Sequence, residues 1–313
     1  TLTLDGTATA SSLASIVGTT TGGITKEGTG TWTLSGASTY TGATTINGGT
    51  LSVSSLANGG SNSNLGAATA DASNLIINGG TLKYTGTDVT IDRLFTIGAN
   101  GATVDASGAS GTLAFGNTST LATQSSGTVR TLTLTGSGMA SLASIVPNYS
   151  TNATAITKTG TGTWTLSGAN TYTGATTINA GTLSVSSLAN GGLASNIGQS
   201  VNTAGYLVLG GGTLKYTGTD VTIDRAFTIT NSTTGTFEVA TAGVSLTISG
   251  SAASSTGALT KTGAGTLVLS GNNAYSGLTT VSAGVLKLGA TGDATNTPLG
   301  TVGSGTTVAS GAT

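Results

Sequence analysis

The chain is expected to fold as an all-β solenoid built from tandem repeats, on three observations. A long block of sequence recurs almost unchanged; the apolar runs are three to six residues long and alternate in polarity; and 52 of the 313 residues are glycine. Residues 24–60, ITKEGTGTWTLSGASTYTGATTINGGTLSVSSLANGG, return at 156–192 as ITKTGTGTWTLSGANTYTGATTINAGTLSVSSLANGG. TLKYTGTDVTIDR at 81–93 returns unchanged at 213–225, and a weaker third copy of the first block runs from Leu259 to Leu288. The opening TLTL at 1–4 and SLASIV at 12–17 return at 131–134 and 141–146. Self-similarity on this scale is the signature of a repeat architecture, in which each unit buries its apolar face only against its neighbours. The expected organisation is a first long module over 1–130, a second over 131–244 and a partial third over 245–313, all in one continuous solenoid.

The strands follow from periodicity. Thr31-Trp32-Thr33-Leu34 alternates, which places Trp32 and Leu34 on one face and both threonines on the other. Thr, Val and Ile favour a pleated, half-buried surface, whereas interior glycines penalise a helix by about 1 kcal/mol each. Between strands, INGGTL at 46–51 and again at 77–82 has two all-β readings. Asn-Gly between apolar runs signals a two-residue hairpin; a corner that sends the next strand to another face of a coil is the other reading. Tandem recurrence and very short strands favour the corner. With coils of twenty-odd residues stacked ~4.8 Å apart, such a solenoid would be a rod of about fourteen coils and on the order of 65 Å long.

Composition narrows the chemistry. The chain has no His and no Cys, which removes Ser-His and Cys-His nucleophiles, thiolate and imidazole metal sites, and disulfides. Nine basic and ten acidic residues give a net charge of −1 with no basic stripe to neutralise phosphates, so no nucleic-acid partner is expected. Apolar runs such as Leu75-Ile76-Ile77 fall far short of the ~20 residues of a membrane helix, so no membrane insertion by this segment is expected. The absence of Cys suits a chain kept free of bridges during export. Its opening at Thr1, inside a repeated pattern, reads as a processed piece of something longer.

The block from Lys158 to Leu183, with Gly-x-Gly-Thr, Leu-Ser-Gly, Asn-Thr-Tyr-x-Gly and Gly-Thr-Leu in order, resembles the autotransporter-associated β-strand repeat of bacterial surface passenger domains. The pattern is matched three times. Where Trp32 and Trp164 stand the third copy has Leu267, and Ser38 stands where the later copies have Asn170 and Asn273. Both exchanges keep an apolar knob or a small polar corner residue. The resemblance implies a right-handed parallel β-helix, export from a Gram-negative cell and a role outside it; it implies little about activity, because one fold carries many functions.

Several residues invite a site. Asp88 and Asp92, repeated as Asp220 and Asp224, lie four positions apart within the charged segments Lys83 to Arg93 and Lys215 to Arg225. In one strand that spacing is ~13 Å, too far for a glycosidase pair; a Ca²⁺ or sugar site competes with a solvent-facing corner in which Asp and Arg pair. Lys26, Lys158 and Lys261 fall at equivalent positions and read as exposed charges that limit wrong association. The Gly-Thr-Gly segments at 28–30 and 160–162 lead to no helix and read as corners rather than phosphate loops. Trp32, Trp164, Tyr40, Tyr172 and Tyr275 read as core packing before a carbohydrate platform. Thr-x-Thr at 31–33, 131–133 and 163–165 raises an ice-binding array, which would need that pair on a flat face in every coil.

The function expected from these residues is a non-catalytic extracellular structural or adhesive segment on the bacterial surface, self-associating end to end or laterally into fibres and touching a surface glycan or a neighbouring cell. No catalytic, cofactor-binding or metal-binding residue and no cofactor are assigned. The alternatives are a polysaccharide-degrading β-helix enzyme, which would need a cleft uniting at least two of Asp71, Asp88, Asp92, Asp105 and Arg93 from different coils, and the ice-binding array.

Overall fold

The computed structural model describes residues 1–313 except 19, 109, 110 and 304. The chain forms two compact units, Thr1–Ile156 with Gly160–Trp164, and Thr157–Thr159 with Thr165–Thr313. Each is a stack of parallel β-coils.

In the first unit one face holds Leu2–Leu4, Ile24–Lys26, Thr44–Ile46, Leu75–Ile77, Thr96–Ile97 and Ala122–Thr123, each strand paired in parallel with the next. A second face holds Ser11–Leu13, Thr31–Leu34, Thr50–Val53, Thr81–Tyr84, Ala102–Ala106 and Arg130–Thr135. From the fourth coil a third face is added, Val89–Ile91, Thr112–Phe115 and Met139–Leu142. The chain therefore visits the faces in turn, and the Ile46-Asn-Gly-Gly-Thr50 segment is a corner, since the strands it joins lie in different sheets. Gly49 in that corner has φ +57 and would bring a Cβ to 2.2 Å from the Gly30 carbonyl of the coil beneath, so no side chain fits.

The second unit repeats the plan. Its faces are Thr176–Ile178, Leu207–Leu209 and Thr228–Ile229; then Thr182–Val185, Thr213–Tyr216, Thr234–Val239, Ala258–Thr262, Thr279–Val281 and Thr306–Val308; then Val221–Ile223, Ser245–Ile248, Thr266–Leu269 and Val285–Leu288. Two-strand coils use the first two faces near Thr176 and the last two near Thr279. Within this unit the equivalent strands Thr176–Ile178 and Thr279–Val281 thus lie on different faces, and the repeat alone does not fix which chemistry a face displays.

Coil length is set by the loops. Thr31 pairs with Thr50, but Thr50 pairs with Thr81 and Thr182 with Thr213, because the Ser-Leu-Ala-Asn-Gly-Gly segments at 55–60 and 187–192 open long loops. An asparagine helps tie down each loop. Asn64 Oδ1 accepts the Ser54 and Ser55 N–H at 3.0 and 2.8 Å while its Nδ2 donates to the Gly36 carbonyl at 3.0 Å, and Asn196 repeats all three bonds with Ser186, Ser187 and Gly168.

Inward residues form columns of Leu, Ile and Val, with edge-to-face pairs Phe95–Phe115 at 5.4 Å and Phe227–Phe237 at 5.2 Å. Burying a Leu or Phe side chain contributes ~1.5–3 kcal/mol, and these columns are the main source of stability.

Candidate functional site

Three lysines expected on the surface are buried. Lys26 and Lys158 close their strands and Lys261 is the last residue but one of its own; all three point inward, with 0% of their surface exposed. Lys261 Nζ donates to the carbonyls of Thr262, Gly263 and Ala283 at 2.7, 2.9 and 3.1 Å. Lys26 uses the carbonyls of Glu27, Gly28 and Gly48, and Lys158 those of Thr159 and Ala180. The correction has a simple cause. Two tight corners leave carbonyls facing inward, and an ammonium with three donors satisfies them. Burial pushes the Lys158 and Lys261 ammonium groups down to about 8 and lowers that of Lys26 as well.

The arginines correct a second expectation. Arg93 and Arg225 are each 2% exposed and do not bridge to their neighbouring aspartates. Arg225 donates through Nε to the Ala189 carbonyl at 2.9 Å, through Nη1 to the Ser200 carbonyl and hydroxyl at 3.2 and 2.8 Å, and through Nη2 to the Leu193 and Gly198 carbonyls at 3.2 and 2.8 Å. Arg93 makes the matching bonds to Ala57, Ser61 and Gly66. Burial lowers the pKa of both guanidinium groups, partly offset by Tyr40 and Asp92 or by Tyr172 and Asp224.

The aspartates cap backbone. Asp88 Oδ1 accepts the Thr112 N–H at 2.6 Å and Asp220 Oδ1 that of Ser245 at 2.8 Å. Asp92 Oδ1 accepts the Gly59 N–H at 2.7 Å, as Asp224 accepts that of Gly191 at the same distance. Asp71 accepts the Thr69 hydroxyl at 2.6 Å. The ion pairs run between stacked strands, Lys83 with Asp105 at 3.9 Å and Lys215 with Glu238 at 2.8 Å.

Core packing accounts for the aromatic residues. Tyr40, Tyr172 and Tyr275 are wholly buried, each hydroxyl bonded to the hydroxyl of Thr44, Thr176 or Thr279 at 2.6–2.7 Å. Burial pushes Tyr40 and Tyr275 up to about 12 and raises Tyr172 further. Trp164 is buried, with its indole N–H on the Thr135 carbonyl at 2.9 Å; Trp32 is half-buried and makes the same bond to Asp5.

Outward-facing threonines fall into register. Thr31, Thr50, Thr81, Thr103 and Thr133 form one column in the first unit, and Thr182, Thr213, Thr236, Thr260, Thr280 and Thr307 form another in the second. The adjacent columns run Thr33, Ser52, Lys83, Asp105, Thr135 and Ser184, Lys215, Glu238, Thr262. Charged residues interrupt them, so neither face carries Thr-x-Thr in every coil, the arrangement an ice lattice match requires.

Two open cavities lie in the first unit. One, of about 300 Å³, is lined by Asp88, Thr112, Ser137 and Met139 over Gly108, Gly111 and Gly138. The other, of about 380 Å³, is lined by Asn58, Thr90, Ile91, Asp92, Gly116 and Asn117. Each has a single carboxylate. Asp71, Asp105 and the buried Arg93 line neither, so neither cavity unites even two of the five groups from which a carboxylate-based hydrolase or lyase would be built. The described residues contain no group of three or more acidic side chains placed to hold a metal ion.

Stacked parallel coils with strands in register from coil to coil define a parallel β-helical repeat protein. Residues 24–53, 156–185 and 259–288 match the passenger-associated-transport-repeat, and within each unit a matched segment covers strands of consecutive two-strand coils. The chain is 42% identical over 262 residues to the adhesin BmaC autotransporter of Brucella suis biovar 1 (strain 1330), a match covering 83% of this chain and 7% of that protein. No solved structure matches. The repeats and this relative place the chain in an extracellular, cell-surface protein. No described helix is long and apolar enough to cross a membrane.

Proposed function

We propose that the chain is a non-catalytic structural and adhesive segment that presents extended, weakly charged β-faces to a host or neighbouring surface. The observation that carries this reading is the pair of register-matched threonine columns. They spread hydroxyl groups over five and six consecutive coils, whereas the available hollows each hold one carboxylate. The similarity to a protein named as an adhesin supports the same reading. Self-association is the second part of the proposal: faces with few charges oppose lateral contact only weakly.

Beads coated with the purified chain test adhesion. Saturable attachment to cultured host cells, competed by soluble chain, is expected; attachment equal to beads coated with an unrelated β-helix would refute it. Sedimentation velocity across a concentration series tests association. Growth of fast-sedimenting species with concentration is expected, and one unchanging monomer would remove self-association from the proposal.

A further inference from the structure

The aspartate corner that lines the second cavity is repeated at Asp224, where its chemistry differs at one informative position. Asp92 and Asp224 are equivalent: each accepts a loop N–H, from Gly59 or Gly191, and each has its own N–H held at 3.0 Å by an asparagine, Asn58 or Asn190. In the second unit the other carboxylate oxygen, Asp224 Oδ2, accepts a bond from Asn202 Nδ2 at 3.2 Å. The equivalent of Asn202 in the first unit is Ala70, which has no donor, and no described residue donates to Asp92 Oδ2. The facing corner also differs. Strand register aligns Gly116 and Asn117 with Ser249 and Gly250, so an amide lines the cavity only beside Asp92.

The remaining groups are fixed in orientation. Asn117 Nδ2 donates to the Asp92 carbonyl at 2.8 Å, its Oδ1 accepts the Ser119 N–H at 3.0 Å, and its own carbonyl accepts the Ser144 hydroxyl at 2.6 Å. Asn58 Oδ1 is committed to the Asp92 N–H. Each amide oxygen thus already accepts one backbone N–H. What the side chains offer the 380 Å³ hollow is one carboxylate oxygen as acceptor, amide N–H groups as donors and the exposed Thr90 hydroxyl. A cation is poorly served by that set, because only one carboxylate is at hand and each amide oxygen already holds a backbone N–H. An anion is repelled by Asp92. A vicinal diol fits: one hydroxyl donates to the carboxylate while the pair accepts from the amides.

We infer that the hollow formed by Asn58, Thr90, Asp92 and Asn117 binds a neutral sugar residue through vicinal hydroxyls, with Asp92 Oδ2 as the principal acceptor. This deepens the adhesive reading by naming a ligand class, and its volume lies at the small end of ligand cavities, enough for a single residue of a glycan. The groups are held by bonds from three coils, so little is lost to ordering on binding.

The test uses the isotopically labelled full chain, titrated separately with methyl α-mannoside, methyl β-galactoside and methyl β-glucoside, and with Ca²⁺ alone, while backbone amide shifts are followed. At least one glycoside should move the Gly59, Asp92 and Asn117 amides saturably. Ala70→Asn, which supplies the donor the second unit already uses, should weaken that binding about tenfold or more, as should Asp92→Asn, since the lost bond is to a charged acceptor. Ala70→Asn copies an arrangement the fold already contains, so a folded variant is expected, and its unperturbed shifts elsewhere verify it. No response to any of the three glycosides, unchanged affinity in folded Ala70→Asn, or the same amides moving with Ca²⁺ alone would each overturn the inference. Bead adhesion by Ala70→Asn separates the two readings: loss of glycoside binding with adhesion intact leaves the adhesive role standing at another surface.

Discussion

Replacing Arg225 by Met tests whether buried charge holds the long loops. The guanidinium gives up five acceptors, of which the Ser200 and Gly198 carbonyls and the Ser200 hydroxyl are in buried bonds. An orphaned buried acceptor costs about 1–3 kcal/mol. Met keeps most of the stem's packing, so the loss is assigned to the head group. Counting only the two buried carbonyls, and allowing water to reach the others, the loop over 187–200 should lose about 3 kcal/mol of local stability. Hydrogen exchange by mass spectrometry reads this directly, because a local opening free energy lowered by 3 kcal/mol raises exchange about 150-fold. Peptides covering 187–200 should show that acceleration while strands Ala258–Thr262 and Thr266–Leu269 do not. Arg225→Lys, with one compact ammonium for five acceptors, should fall between. A change in exchange of less than tenfold in Arg225→Met would refute loop anchoring by the guanidinium, and equal acceleration in Asp224→Asn would make an ion pair the source.

Lys261→Met strands three corner carbonyls and should lower the thermal midpoint clearly, at about 2–4 kcal/mol, whereas an exposed lysine would give no change in calorimetry. Gly162→Ala places a Cβ 2.0 Å from the Gly138 carbonyl and should destabilise severely; Gly205→Ala, with nothing within 4 Å, should be neutral or slightly stabilising by the same assay. Raising the pH should destabilise the fold above about 10.5. Unfolded tyrosine ionises near 10, but Tyr40 and Tyr275 hold their protons to about 12, so in that window the native state binds more protons and stability falls, by up to about 1.4 kcal/mol per pH unit for each. Lys158 and Lys261 act oppositely: with native values near 8 and an ordinary value of 10.5, they add stability as pH rises between those values and nothing above. A urea midpoint that fails to fall between pH 10.5 and 12 would contradict the tyrosine burial.

The repeat and its strands were legible because period-two alternation and glycine corners are local signals. The same alternation also pointed the charged residues inward. Lys26 shares parity with Ile24, Arg93 with Ile91, and Arg130 with Leu132 and Leu134, and all three cations are buried. Reading Lys26 and Arg93 as surface charges gave weight to the cost of burying an ion and none to the carbonyls that tight corners turn inward, which a long cationic side chain reaches. Asn64 and Asn196 carried no signal beyond repetition, because their partners at Gly36 and Gly168 lie 28 residues back along the chain. The cavity beside Asp92 is assembled from Asn58, Thr90 and Asn117 on successive coils whose spacing depends on loop length, and no strand pattern specifies that.

The most direct test of the whole account is to incubate the purified chain with glycan-bearing host-cell surfaces and to measure, in one experiment, the chain retained and the new sugar reducing or unsaturated ends released. A structural and adhesive segment with one carboxylate per hollow predicts saturable retention with no release above the buffer control. Release that grows with time and chain concentration would make the protein a glycan-cleaving enzyme, and absence of retention would remove adhesion; either result contradicts the account.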